Sequence, residues 1–186
     1  MDALADLMNV CMGRAADSLN LIMNQRVFWT IPDISDENSM PMPLPATSAE
    51  GQHTLALEFK GNLSGEIYLT ISGHDALIIA CALSGLTESE MDESMALESM
   101  GESLNILGNA VIGTMSNITK LSTSIGVPRH VGHNISSFED VKTINVSASV
   151  RSLVSVPSTS VLVDFVLLID EKNANIGQCA PGHAPH

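Results

Sequence analysis

Displaced by 96 positions along itself, the sequence meets its own polar spacing again. Asp2, Asp6 and Asn9 fall on Glu98, Glu102 and Asn105, Ser18 on Thr114, Ile22 on Ile118, and Pro32 on Pro128. Each copy reads acid-xxx-acid-xx-Asn, then 22 residues, then Pro. Gly65 and Val161, each at the start of an apolar strand pattern, keep the same offset. Identity between the copies is weak, but their register is consistent. A doubling of this kind confines the chain to folds that two like halves can build. At 186 residues it is one domain of ordinary size, or two small halves sharing one core.

The periodicities fill in the halves. Leu4, Met8, Cys11, Met12, Ala15, Leu19, Ile22 and Met23 recur at helical spacing and predict a helix over 2–25. "RVFWTIP" reads as a strand ending at Pro32, and the Pro-, Ser- and acid-rich stretch 33–52 as an exposed loop. "HTLALEFKG" and "EIYLTISG" alternate like strands across the turn "GNLSG". "HDALIIACALSG" is a short apolar helix that Gly85 stops. Thr87 and Glu90 form a capping box for a helix over about 88–119, with Gly101 as the point where a break would fall. Three more strands follow in "VPRHVGHNI", "VKTINVSASVR" and "SVLVDFVLLID". The expected fold is α/β in the α+β sense: an antiparallel sheet of about six strands with long helices on one face and a pseudo-twofold repeat. The expected domain is 1–170, with halves of about 1–86 and 87–170 and a loose tail over 171–186.

Composition limits the partners. Hydrophobic residues are 45% of the chain but aromatics only 3%, so Leu, Ile, Val, Met and Ala must form the core. A net charge of −13 argues against nucleic acid and anionic membranes, both of which call for basic patches. The three cysteines are far apart and odd in number, which leaves no disulfide framework. No signal peptide or membrane-length apolar run is visible, so a cytoplasmic protein is expected. A resident metal is not expected either. His130 and His133 have a ligand-like gap but fall in a strand, where side chains three apart face opposite ways. Cys179, His183 and His186 lie in the loose tail. No nucleophile elbow or phosphate-cradling glycine loop is present.

On a helix, Glu98, Glu102, Asn105 and Asn109 share one stripe, while Leu97, Leu104, Leu107 and Val111 point toward the core. Exposed acids are ordinary on helices. The repeat and the fixed distance to proline make this stripe a candidate site.

The doubled pattern, with its "LEFKGNLSGEIYLTISGHDALIIACALSG" middle, resembles the CheC/CheX/FliY phosphatases of bacterial chemotaxis, whose signature is [Asp/Ser]-xxx-Glu-xx-Asn-x22-Pro. The resemblance covers residues 1 to about 170 and implies the CheC-like fold. It implies hydrolysis of the aspartyl phosphate on a response-regulator receiver domain such as CheY. Asn105 would hold the attacking water and Glu102 would dock on the receiver's Lys, with Glu98 as the third residue of the motif. The receiver brings its own Mg2+, so no cofactor of the chain's own is implied. Positioning outweighs a strong base in so loose a reaction, and an Asn amide donates and accepts without titrating. Two departures stand out. Glu98 replaces the usual Asp or Ser, and Asp6 replaces the family's Glu. The first copy, Asp2, Asp6 and Asn9, is therefore expected to be the weaker site. The alternative implied by the same family is a non-catalytic module or scaffold that binds a receiver or a CheD-like deamidase, alone or as a homodimer.

Overall fold

The chain's two long periodic segments become helices, each with one apolar stripe turned onto the same sheet. The computed structural model describes residues 2–36, 51–156 and 161–170. In order, the elements are α1 (Asp2–Met23), β1 (Phe28–Trp29), β2 (Asp33–Asp36), β3 (Gln52–Gly61), β4 (Gly65–Ser72), α2 (Gly73–Ser84), α3 (Glu93–Thr119), β5 (Thr123–Ile125), β6 (Arg129–His133), β7 (Val146–Val156) and β8 (Val161–Asp170). Met8, Cys11, Met12, Ala15, Leu19 and Met23 form the buried stripe of α1. Met100, Leu104, Leu107, Val111 and Met115 form that of α3. The two helices pack on each other and share one core with β3, β4, β7 and β8.

All strand pairings are antiparallel, and the sheet runs β1-β7-β8-β4-β3-β5, with β2 also on β7 and β6 also on β3. About six strands were expected; eight segments occupy six lanes, because each edge lane is made of two short pieces. The 96-residue offset carries β3 onto β7 and β4 onto β8, and the edge pieces β1 and β2 onto β5 and β6. Under that exchange the strand order reads the same reversed. The dyad can be located in sequence: Leu69 and Phe165 are offset equivalents and direct register partners at the centre of the sheet. It continues into the helix layer. A groove there is lined by Arg14, Asp17, Ser18 and Leu21 and by their four equivalents, Ala110, Gly113, Thr114 and Asn117, together with Asn109.

Alternation divides the central strands between two faces. Leu55, Leu57, Ile67, Leu69, Phe165 and Leu167 join the helix-side core, whereas Ala56, Tyr68, Val166 and Leu168 form a second cluster on the other face. All eight residues of β4 are buried, and "VLVDFVLLID" is apolar on both faces for the same reason. The cover on the second face comes from the segment before β7, of which 141–145 were expected to be strand. Residues 141–145 are not strand; they follow a 3-10 turn, Phe138–Asp140, whose buried Phe138 ring stands 5.0 Å from that of Tyr68. The strand begins only at Val146.

Other boundaries moved as well. Gly85 ends α2 in the left-handed region at φ 73, as expected. The Thr87–Glu90 capping box forms, but over a 3-10 turn, Glu88–Glu90. Met91 is then extended and buried against Ala80 and Ala96, and α3 starts afresh with Asp92 accepting from the Met95 amide at 2.9 Å. Helix α3 passes Gly101 without a break. Residues 33–36 form β2 instead of loop, because the backbone of β7 offers them an edge. Residues 37–50 and the tail 171–186, with Cys179, His183 and His186, lie outside the described residues. Among the described residues, no helix is long and apolar enough to cross a membrane.

Candidate functional site

The sequence puts Glu98, Glu102 and Asn105 on one face of α3, and the fold supplies a wall opposite them. All three are exposed. They line an open groove of about 510 Å3 together with Ser94, Leu97, Gly101, Leu55, Val127, Pro128, Arg129 and His130. The segment between β5 and β6 brings Pro128 against the helix. A β-carbon built on Gly101 would stand 3.9 Å from Pro128 Cβ and 4.0 Å from Leu55 Cδ2, ordinary contact distances. The 22-residue spacing therefore measures out the rest of α3, β5 and the return to the groove. Leu97 was expected in the core; it is half-buried and floors the groove instead.

Asn105 does not stand alone. The Asn109 amide nitrogen donates to the Asn105 carbonyl at 2.7 Å and to Asn105 Oδ1 at 3.1 Å. The second bond ties Asn105 Oδ1 to the helical turn that follows it. The opposite wall is tied down from beneath. Arg129 lies 3.5 Å from the buried Glu66 carboxylate, which also accepts from Tyr68 Oη at 2.8 Å and from Thr143 N and Oγ1 at 3.0 and 2.6 Å. A buried carboxylate so completely bonded is a firm anchor. The groove thus carries two carboxylates on the helix side and His130 on the strand side, while the Arg129 guanidinium is held by Glu66.

The first copy lies on α1. Asp6 and Asn9 are exposed on α1, and Asp2 opens that helix with its side chain outside the described atoms. One feature is shared by both ends. Ile31, before Pro32, and Val127, before Pro128, are offset equivalents, and each is 85% exposed.

The histidines depart from expectation. His130 and His133 were expected to face opposite ways, yet they meet, with ring centroids 5.0 Å apart. A bulge is the cause. Leu55 pairs with His130 and His53 with His133, while only Thr54 opposes the two residues between. The extra residue turns both histidines onto the face of His53. His53 itself carried no signal in the sequence, and neither did Arg129 or the exposure of Val127.

Among the described residues, no cysteine lines the groove. Cys11 is fully buried, and burial pushes its thiol up to about 12.

No family model and no curated protein matches the sequence. Solved structures match the fold. FliY from Thermotoga maritima superposes with a TM-score of 0.66 at 16% identity, over 96% of this chain and 93% of that one. A chain of the CheX–CheY–BeF3–Mg2+ complex from Borrelia burgdorferi gives 0.60 at 15% identity, over 90% and 99%. The FliM middle domain from H. pylori gives 0.62 at 12% identity, over 96% and 97%. The chain has the fold of the CheC/CheX/FliY chemotaxis proteins.

Proposed function

We propose that the protein is a phosphatase of a phosphorylated response-regulator receiver domain, working through the groove of Glu98, Glu102, Asn105 and Pro128. The observation that carries this reading is the convergence of the repeated motif with its proline in one open groove on a rigid helix. A solved complex of a protein of this fold with CheY, BeF3 and Mg2+ supports the choice of partner.

In this reading α3 enters the receiver's phosphorylation site. Glu102 pairs with the receiver's Lys and sets the depth of the helix. Asn105 accepts from one water proton and holds that water in line with the aspartyl phosphate. Attack breaks the phosphorus–oxygen bond to the aspartate, so the products are inorganic phosphate and the free carboxylate. The receiver's Mg2+ carries the charge of the leaving group. Val127 offers an apolar contact at the rim.

The test follows decay of a phosphorylated receiver across a concentration series of this protein. Asn105→Ala should lose about 100-fold of the added rate, the usual cost of a misplaced reactant. Glu102→Gln should weaken engagement, and its loss should be partly recovered at high concentration. Asn105→Asp brings a charged acceptor to a phosphoryl group and should be slow; an Asp variant as fast as the parent would make general-base catalysis the better account. A receiver that binds without faster decay would replace the phosphatase reading by that of a binding module.

A further inference from the structure

Three imidazoles gather beside the groove, and the proposed phosphatase chemistry uses none of them. His53 on β3 and His130 and His133 on β6 each place one ligand atom within 4.8 Å of the others. His53 is 3% exposed, and its buried Nδ1 has no hydrogen-bond partner among the described residues. A buried polar atom left without a partner is destabilising, so the position calls for an occupant. The other ring nitrogen, Nε2, lies 3.5 Å from Glu93 Oε1 in the first turn of α3.

We propose that His53, His130 and His133 form a site for a divalent transition metal of the zinc class, with Glu93 supporting it. Nitrogen donors select this class over Mg2+ and Ca2+, which take oxygen. Three histidines with one carboxylate or water complete a tetrahedron. A metal held through His53 Nδ1 satisfies the buried atom and leaves Nε2–H to Glu93, the usual arrangement behind a metal-bound imidazole. Zinc–nitrogen bonds of about 2.0–2.1 Å put donors roughly 3.4 Å apart, so the cluster draws in by up to about 1.4 Å. His130 and His133 are exposed and free to turn that far. The β6 bulge is what makes the site: without the extra residue the two histidines would lie on opposite faces. An ion here would bind β6 to β3 and to the start of α3, next to the wall that carries Pro128 and Arg129. The site stands independently of the phosphatase reading.

The experiment uses the full chain, stripped with EDTA, titrated with ZnCl2 by calorimetry and with CoCl2 by visible absorption. One ion per chain is expected, with a Kd of about 1 µM or tighter and the intense visible bands of tetrahedral cobalt. His130→Asn and His133→Asn change exposed residues and should leave the circular dichroism intact, while each weakens zinc by about 100-fold. A full-length Cys179→Ser, His183→Asn, His186→Asn variant should bind as the parent does. Absence of stoichiometric binding, unchanged affinity in both single variants, or loss of binding in the tail variant would each overturn the site.

Discussion

Asn109 shows how far a single side chain can matter without meeting the substrate. Its amide nitrogen donates to the Asn105 backbone carbonyl and to Asn105 Oδ1, and the second bond holds the Asn105 side chain. Removing it frees the Asn105 amide to rotate while leaving every groove residue present. Asn109→Ala should therefore lower kcat for the receiver by about 10-fold with little change in KM, since binding through Glu102 persists while the water loses its guide. Steady-state kinetics decide it: a change in KM alone would make Asn109 part of the docking surface. This residue was visible in the sequence as a member of the stripe, but its partner was not. Side-chain amides at i and i+4 are neighbours on any helix, and only coordinates say whether they bond. Arg129 was illegible for a different reason: its anchor, Glu66, is 63 residues away and in the other half. The histidine cluster was misread because period-2 reasoning assumes an unbroken ladder, and a bulge leaves no mark in composition.

At the scale of elements, α3 rests on the sheet through a glycine. Gly108 lies against the buried Leu57 side chain of β3, with no room for a β-carbon, whereas Gly113 has open space around it on the same helix. The two glycines should respond oppositely to alanine. Gly113→Ala should stabilise by about 0.5–1 kcal/mol through helix propensity alone. Gly108→Ala gains the same term but overpacks a filled core at about 1–3 kcal/mol, for a net loss of about 1 kcal/mol. Urea unfolding of the two variants beside the parent measures this; equal shifts would mean that α3 rides up from the sheet at no cost. Helices and central strands were legible because period 3.6 and period 2 are strong over ten or more residues. The edges were not. β1 and β5 are two and three residues long, too short for any pattern, and they exist because β7 and β3 have free ladders to fill. The late start of α3 was hidden for a similar reason, since its capping box was real but served a shorter helix.

At the scale of the molecule, the sheet is woven from both halves. The first half's β1 and β2 complete the ladder of β7, and the second half's β5 and β6 complete that of β3. Each half thus lacks its own edge and carries its partner's. Residues 1–86 alone should then not persist as a folded monomer, but should pair with a second copy, β4 against β4, each lending its edge strands to the other. Light scattering with circular dichroism tests this: a folded monomer would show that the halves are separable after all. The same weave suggests a history. A homodimer of such halves has its termini and strands already placed for fusion into one chain. In the dimer every mutation strikes both sites at once; fusion lets one site be kept and the other drift. Asp6 is one methylene shorter than its offset equivalent Glu102, while Asn9 and Pro32 match Asn105 and Pro128.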